Sequence, residues 1–175
     1  MNKILIIFIF IFTFVSSGFS QKNDDGNLQK SFQNKDNLII TDSLIFISNT
    51  NVSLIPPKYF EIDSSINGFI HKGSHTTIQT IFVPNVAFQK IEEKMTAQYI
   101  KSQGFTFVEK KQLILDSGQE AVLFFVTFTT KENMEFERIM FFTGNQNTIW
   151  INVNYLIIMK NLILSEITKC LKSVQ

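Results

Sequence analysis

The chain has one cysteine, Cys170, and one arginine, Arg138, among 175 residues. A lone cysteine excludes a disulfide within the chain, so an exported form has to be held together by its apolar core. Lysine and arginine total 16 against 15 acidic residues, for a net charge of +1. That balance lacks the basic footprint that nucleic acid requires, and no polybasic segment is present to hold anionic lipid. Motifs of known chemistry are also missing. There is no G-x-S-x-G elbow, and Gly68, Gly73, Gly104, Gly118 and Gly144 stand singly, which excludes a phosphate loop or a dinucleotide fingerprint.

What is present begins with the leader. Lys3 opens it, Ile4–Val15 is a nearly unbroken run of Ile, Phe and Leu, and Ser16, Ser17, Gly18 and Ser20 supply small residues before Gln21. This is the layout of a secretory signal peptide over residues 1–20. Its apolar core is shorter than the roughly 20 residues a membrane span needs. Lys3 is the only charge it carries, so the remainder is balanced in charge. No cysteine follows to accept a lipid anchor. The leader resembles bacterial export signals, and the expected location is the periplasm or the medium, with the chain soluble after cleavage.

Residues 21–37 (QKNDDGNLQKSFQNKDN) are polar and aperiodic, and they read as a disordered tether. Residues 38–175 then form a single domain. Leu38–Ile47, broken at Thr41, Asp42 and Ser43, holds one or two short strands. Val52–Leu54 is a strand ended by Pro56 and Pro57, since proline cannot donate to a ladder. Asp63–Asn67 is a turn, Gly68–Ile70 a strand, Lys72–Ser74 a break, and Thr77–Val83 a strand stopped by Pro84. Val86, Ile91, Met95, Tyr99 and Ile100 fall near helical spacing and predict one helix, capped at Gly104. Phe105–Leu115 reads as a strand bent around Glu109–Lys111.

Ala121–Phe128 (AVLFFVTF) is apolar at both parities. A strand with one wet face alternates, so this run predicts cover on both faces. Glu135–Thr143 and Thr148–Asn154 follow through short turns and must pair antiparallel with their neighbours. Ile163, Ile167, Cys170, Leu171 and Val174 mark a closing helix. The fold class is α+β: a twisted antiparallel sheet of about six strands with helices on both faces, an α/β/α sandwich.

Few residues suggest chemistry. His71 and His75 form an H-x-G-x-H spacing and are weak metal candidates, because Gly73 argues against the helix that would align them. Cys170 lies on an apolar stripe and reads as a packed small hydrophobe. Glu92 and Glu93 are adjacent on a helix and do not converge. Among the 19 phenylalanines, most read as core. Tyr59, Phe60 and Phe69 lie near turns; they either close the core or line an exposed binding patch.

Val52-Ser53-Leu54-Ile55-Pro56-Pro57 followed by Phe60, then Gly68-Phe69, the Val83-Pro84 stop, the helix ending at Gly104-Phe105, Ser117-Gly118, the Gly144 hairpin, the Trp150 strand and the closing helix resemble the PsbP-like α/β/α sandwich superfamily, with its exported, DcrB-like bacterial members. The resemblance spans Val52–Val174. It implies a small non-catalytic domain, with no cofactor, that docks onto a larger protein, here an unidentified partner in the cell envelope. A module binding a small apolar ligand or lipid in an aromatic cleft is the alternative, and an enzyme of unrecognised type the third reading. One segment departs from the pattern: Tyr155–Leu164 (YLIIMKNLIL) is apolar where polar loop residues are expected.

Overall fold

The computed structural model describes residues 42–175. The expected leader, the polar stretch 21–37 and residues 38–41 lie outside the described residues.

In chain order the elements are β1 (Ile45–Ile47), β2 (Val52–Leu54), β3 (Glu61–Asp63), β4 (Gly68–His71), β5 (Thr76–Val83), α1 (Phe88–Glu92), α2 (Ala97–Ser102), β6 (Thr106–Ile114), β7 (Glu120–Thr129), β8 (Glu135–Thr143), β9 (Thr148–Leu156) and α3 (Lys160–Lys172). Seven strands form one antiparallel sheet in the order β3-β4-β5-β9-β8-β7-β6, and β1 and β2 make a separate two-stranded hairpin. The sheet is one strand wider than the sequence predicts. The extra strand is β3, whose three residues Glu61-Ile62-Asp63 are too short and too acidic to register as a strand pattern.

Ala121–Val126 of β7 is buried throughout. Its register sets the two faces of the sheet. Ala121, Leu123 and Phe125 lie level with Ile139 and Phe141 of β8 and Ile151 and Val153 of β9, on the first face. Val122, Phe124 and Val126 lie level with Phe142, Met140 and Arg138 on the second. The first face is covered by the β1–β2 hairpin, through Ile47, Val52 and Leu54, and by α3, through Ile167, Cys170 and Leu171; all share one core with the strand residues. The second is covered by α1 and α2, which bring buried Phe88, Ile91 and Ile100 against the β6–β8 side. Each fully buried phenylalanine contributes about 1.5–3 kcal/mol. The two-sided apolar run is therefore the middle layer of a sandwich.

The predicted single helix over Val86–Ile100 is two short helices. Thr96 breaks it: its backbone is extended and its Oγ1 accepts from the Tyr99 N–H at 3.1 Å, starting α2 afresh. Gly104, at φ +84°, ends α2 as predicted, with the Phe105 N–H reaching back to the Ile100 carbonyl at 3.3 Å. At the sheet edge, β6 carries a bulge between Phe107 and Glu109. Beyond it Lys110 and Lys111 lay their stems over Phe124 and Phe125, one on each face, which blunts an edge otherwise open to pairing.

The end of α3 is tied to the hairpin. Ser53 and Gln175 exchange backbone hydrogen bonds at 3.0 Å, and the Ser173 hydroxyl accepts from the Ile55 N–H at 2.8 Å.

Candidate functional site

The three aromatic candidates separate. Phe60 and Phe69 are buried in the first-face core. Phe69 sits at a first-face position of β4, level with Ile78 of β5, and Phe60 stacks on the His71 ring at 5.5 Å. Tyr59 is 58% exposed. Its φ is +69°, a left-handed conformation uncommon for an aromatic residue, and the Phe60 N–H closes the turn onto the Pro57 carbonyl at 3.3 Å.

His71 and His75 flank a single 3-10 turn, Lys72–Ser74. His71 Nδ1 is hydrogen-bonded to Ser74 Oγ at 2.7 Å, and Ser74 Oγ to Thr76 Oγ1 at 2.7 Å. His75 caps the turn at φ +53°. Among the described residues no three histidine, cysteine or acidic side chains gather as a metal-holding group. The pair's work in the structure is to shape the β4–β5 turn.

An apolar notch of about 70 Å³ opens between Phe46 of β1, Ile62 of β3 and Phe69 of β4. Phe46 is 62% exposed and Ile62 54%. Leu44, next to β1, is exposed as well, and Lys58 lies 3.9 Å from Asp42 in an exposed ion pair. β3 is one of the two outer strands of the sheet, and among the described residues one side of its backbone pairs with no other strand. A short open edge flanked by exposed apolar side chains is suited to taking an added strand. The notch is well below the roughly 300 Å³ at which ligand pockets begin, so it does not enclose a lipid or a small apolar molecule.

Two buried polar groups sit side by side in β8 and face opposite ways. On the first face, Glu137 receives a short hydrogen bond from the Tyr155 hydroxyl and an ion pair from Lys160 at 2.9 Å. Burial, and then the bond to Glu137, push the Tyr155 phenol far above its usual range, so it stays protonated and donates. This cluster pins the start of α3 to the sheet. On the second face, Arg138 packs against Phe105 and Phe128, at 5.0 and 5.3 Å from the ring centres, and the two rings meet each other edge-on at 5.5 Å. Its Nε donates to Asn154 Oδ1 at 2.6 Å, and Asn154 Nδ2 donates to Thr77 Oγ1 at 2.9 Å. Sequence reading counted Arg138 only as a charge; a single arginine within the apolar strand Phe136–Thr143 was the available signal. Cys170 is fully buried, and desolvation raises its thiol far out of the reactive range.

No family model matches the sequence, and no curated protein matches it. Among solved structures, the chain is similar to LpqN of Mycobacterium tuberculosis, described as involved in cell envelope biogenesis: TM-score 0.52 at 12% identity, over 71% of this chain and 82% of that one. Looser alignments are found with the cyanobacterial PsbP of Synechocystis, at TM-score 0.45 and 13% identity over 62% of this chain and 72% of that one. A Pseudomonas aeruginosa protein of unknown function aligns at TM-score 0.47 and 9% identity, over 56% and 70%. At these identities the likeness is one of fold. Seven antiparallel strands between a hairpin-and-helix layer and a two-helix layer make this chain an α+β sandwich that shares its fold with LpqN.

Proposed function

We propose that this chain is an exported, non-catalytic binding domain of the cell envelope that docks a protein partner at the β3 edge. The observation that carries the reading is the exposed pair Phe46 and Ile62, set around the notch beside an unpaired strand edge. Tyr59 supports it: a ring held in solvent at a strained backbone angle is a feature that folding alone does not ask for. The exposed apolar side chains here are few, Leu44, Phe46 and Ile62 beside a strand of three residues, whereas a folded partner or a second copy would bury roughly 800 Å² per partner. The occupant is therefore an extended apolar segment of an envelope protein, added as a strand to β3. The leader sequence supports export, and the envelope setting is in keeping with what is said of LpqN.

The test is co-purification from the host envelope with the wild-type chain, a Phe46→Ser, Ile62→Ser variant and an Ile158→Ser, Leu162→Ser control. The control alters another exposed apolar pair, Ile158 just before α3 and Leu162 in its first turn. The proposal requires a partner that the wild type and the control retain and the edge variant loses. A partner retained by all three, or no partner with the wild type, contradicts it.

A further inference from the structure

The second face holds a feature that docking at β3 does not use. Arg138 is 5% exposed, yet among the described residues it joins no ion pair. Glu137, its neighbour in sequence, lies on the opposite face and is held there by Lys160 and Tyr155. The strand row that contains Arg138 runs through Asn154, Thr77 and Ile70 to Glu61. Glu61 is four strands away and is engaged by Lys72 at 2.7 Å. A buried cation is costly unless something negative faces it. The two phenylalanine rings offset part of that cost, and the Asn154 amide fixes the plane of the fork by occupying Nε.

The two Nη groups remain. Among the described residues they have no protein acceptor, and they are not sealed off: the one buried unpaired side-chain polar atom there is Thr80 Oγ1. With Nε taken, the fork is left with its end-on pair of Nη donors, whose spacing matches the two oxygens of a carboxylate. Asn154 and then Thr77 follow Arg138 on its row, with Gln79 two residues along β5 on the same face, each half-buried.

We propose that Arg138, packed against Phe105 and Phe128 and oriented by Asn154, is a carboxylate-binding site on the second face of the sheet. The ligand presents a carboxylate end-on to the Nη pair and lays its polar neighbouring groups along Thr77 and Gln79. Two sources share this chemistry, the C-terminus of a peptide and the head of a fatty acid. The site is on the opposite face from the β3 notch and does not depend on docking there.

Because Arg138 is the sole arginine, its Nε–H gives a single arginine side-chain resonance in a nitrogen-15-labelled sample of the whole chain. Three probes are titrated separately, up to about 20 mM: octanoate, the tripeptide Ala-Ala-Phe with a free carboxylate, and inorganic phosphate. Octanamide and the tripeptide amide serve as uncharged controls. The proposal predicts a saturable shift of the Arg138 Nε–H and of the Asn154 side-chain amide with octanoate or the free tripeptide, and none with the amides. Which of the two binds names the source. Arg138→Met weakens that binding at least tenfold, read on the Thr77 and Asn154 amides. Arg138→Lys, which keeps charge but loses the fork, weakens it by a smaller factor. No saturable shift with either carboxylate, an equal response to the amides, saturation with phosphate alone, or full binding by Arg138→Met overturns the proposal. If Arg138→Met does not fold, the wild-type titrations and Arg138→Lys decide it.

Discussion

Phe124 and Phe125 are consecutive in β7 and face opposite layers, so a pair of truncations tests the sandwich one face at a time. Phe124 meets Phe142 edge-on at 6.1 Å and lies under Lys110 on the second face. Phe125 packs in the first-face core under Lys111 and Lys160. Both are almost fully buried, and neither site can collapse easily between a central strand and the layer above it. Each Phe→Ala change removes the transfer energy of a whole ring and leaves a cavity, for about 3–5 kcal/mol. Phe107, on the edge strand β6 and 37% exposed, is the internal control, at about 1 kcal/mol or less. Urea unfolding of the chain lacking its leader reads the three values from the shift in midpoint at constant m. The double variant forfeits most of the 5–15 kcal/mol available to a domain and is expected to be unfolded. If either single change costs under about 1 kcal/mol, the face it points to is not packed and the two-sided reading of the run is wrong.

Other predictions follow from single positions. A Cβ at Gly68 would lie 1.8 Å from the Ile78 carbonyl oxygen, so Gly68→Ala must push β4 from β5; a loss of about 2–3 kcal/mol is expected in urea, and a wild-type midpoint would refute the close approach. At Tyr59, Gly and Ala variants lose the ring equally, and the left-handed φ makes Tyr59→Gly the more stable by about 1 kcal/mol; equal midpoints would show that the turn is unstrained. The raised Tyr155 phenol gives stability that is present below about pH 10, where the unfolded phenol ionises, and is lost as pH rises beyond it by about 1.4 kcal/mol per unit. Tyr155→Phe is expected to flatten that alkaline decline while lowering stability at neutral pH, and an unchanged alkaline slope would contradict it. The buried Cys170 thiol is expected to react with a disulfide reagent only on unfolding, whereas rapid labelling of the native chain would refute its burial.

The sequence made the sheet legible where one element states its own environment. Ala121–Val126 has no polar parity, Pro84 forbids extension of β5, and Gly104 supplies a left-handed cap. Those features depend on backbone chemistry or on two-sided cover, and the structure has all three. The split between α1 and α2 was missed because apolar spacing continues across it; Thr96 as an N-cap was the local signal, outweighed by the periodicity. β3 escaped because three residues carry no period. Phe60 and Phe69 sit near turns in sequence but are folded inward by the β3–β4 pairing, which only tertiary contacts reveal. The Arg138 cluster joins Phe105, Phe128 and Asn154, residues from separate segments, and the site exists only once β7, β8 and β9 are in register.

Amide hydrogen exchange of the chain, alone and with the partner recovered at the β3 edge, tests the docking account most directly. Glu61–Asp63 and the β1 stretch around Phe46 are predicted to gain protection in the complex, with α3 unchanged. Protection confined to α3 or to the second face, with β3 exchanging as freely as before, would contradict it.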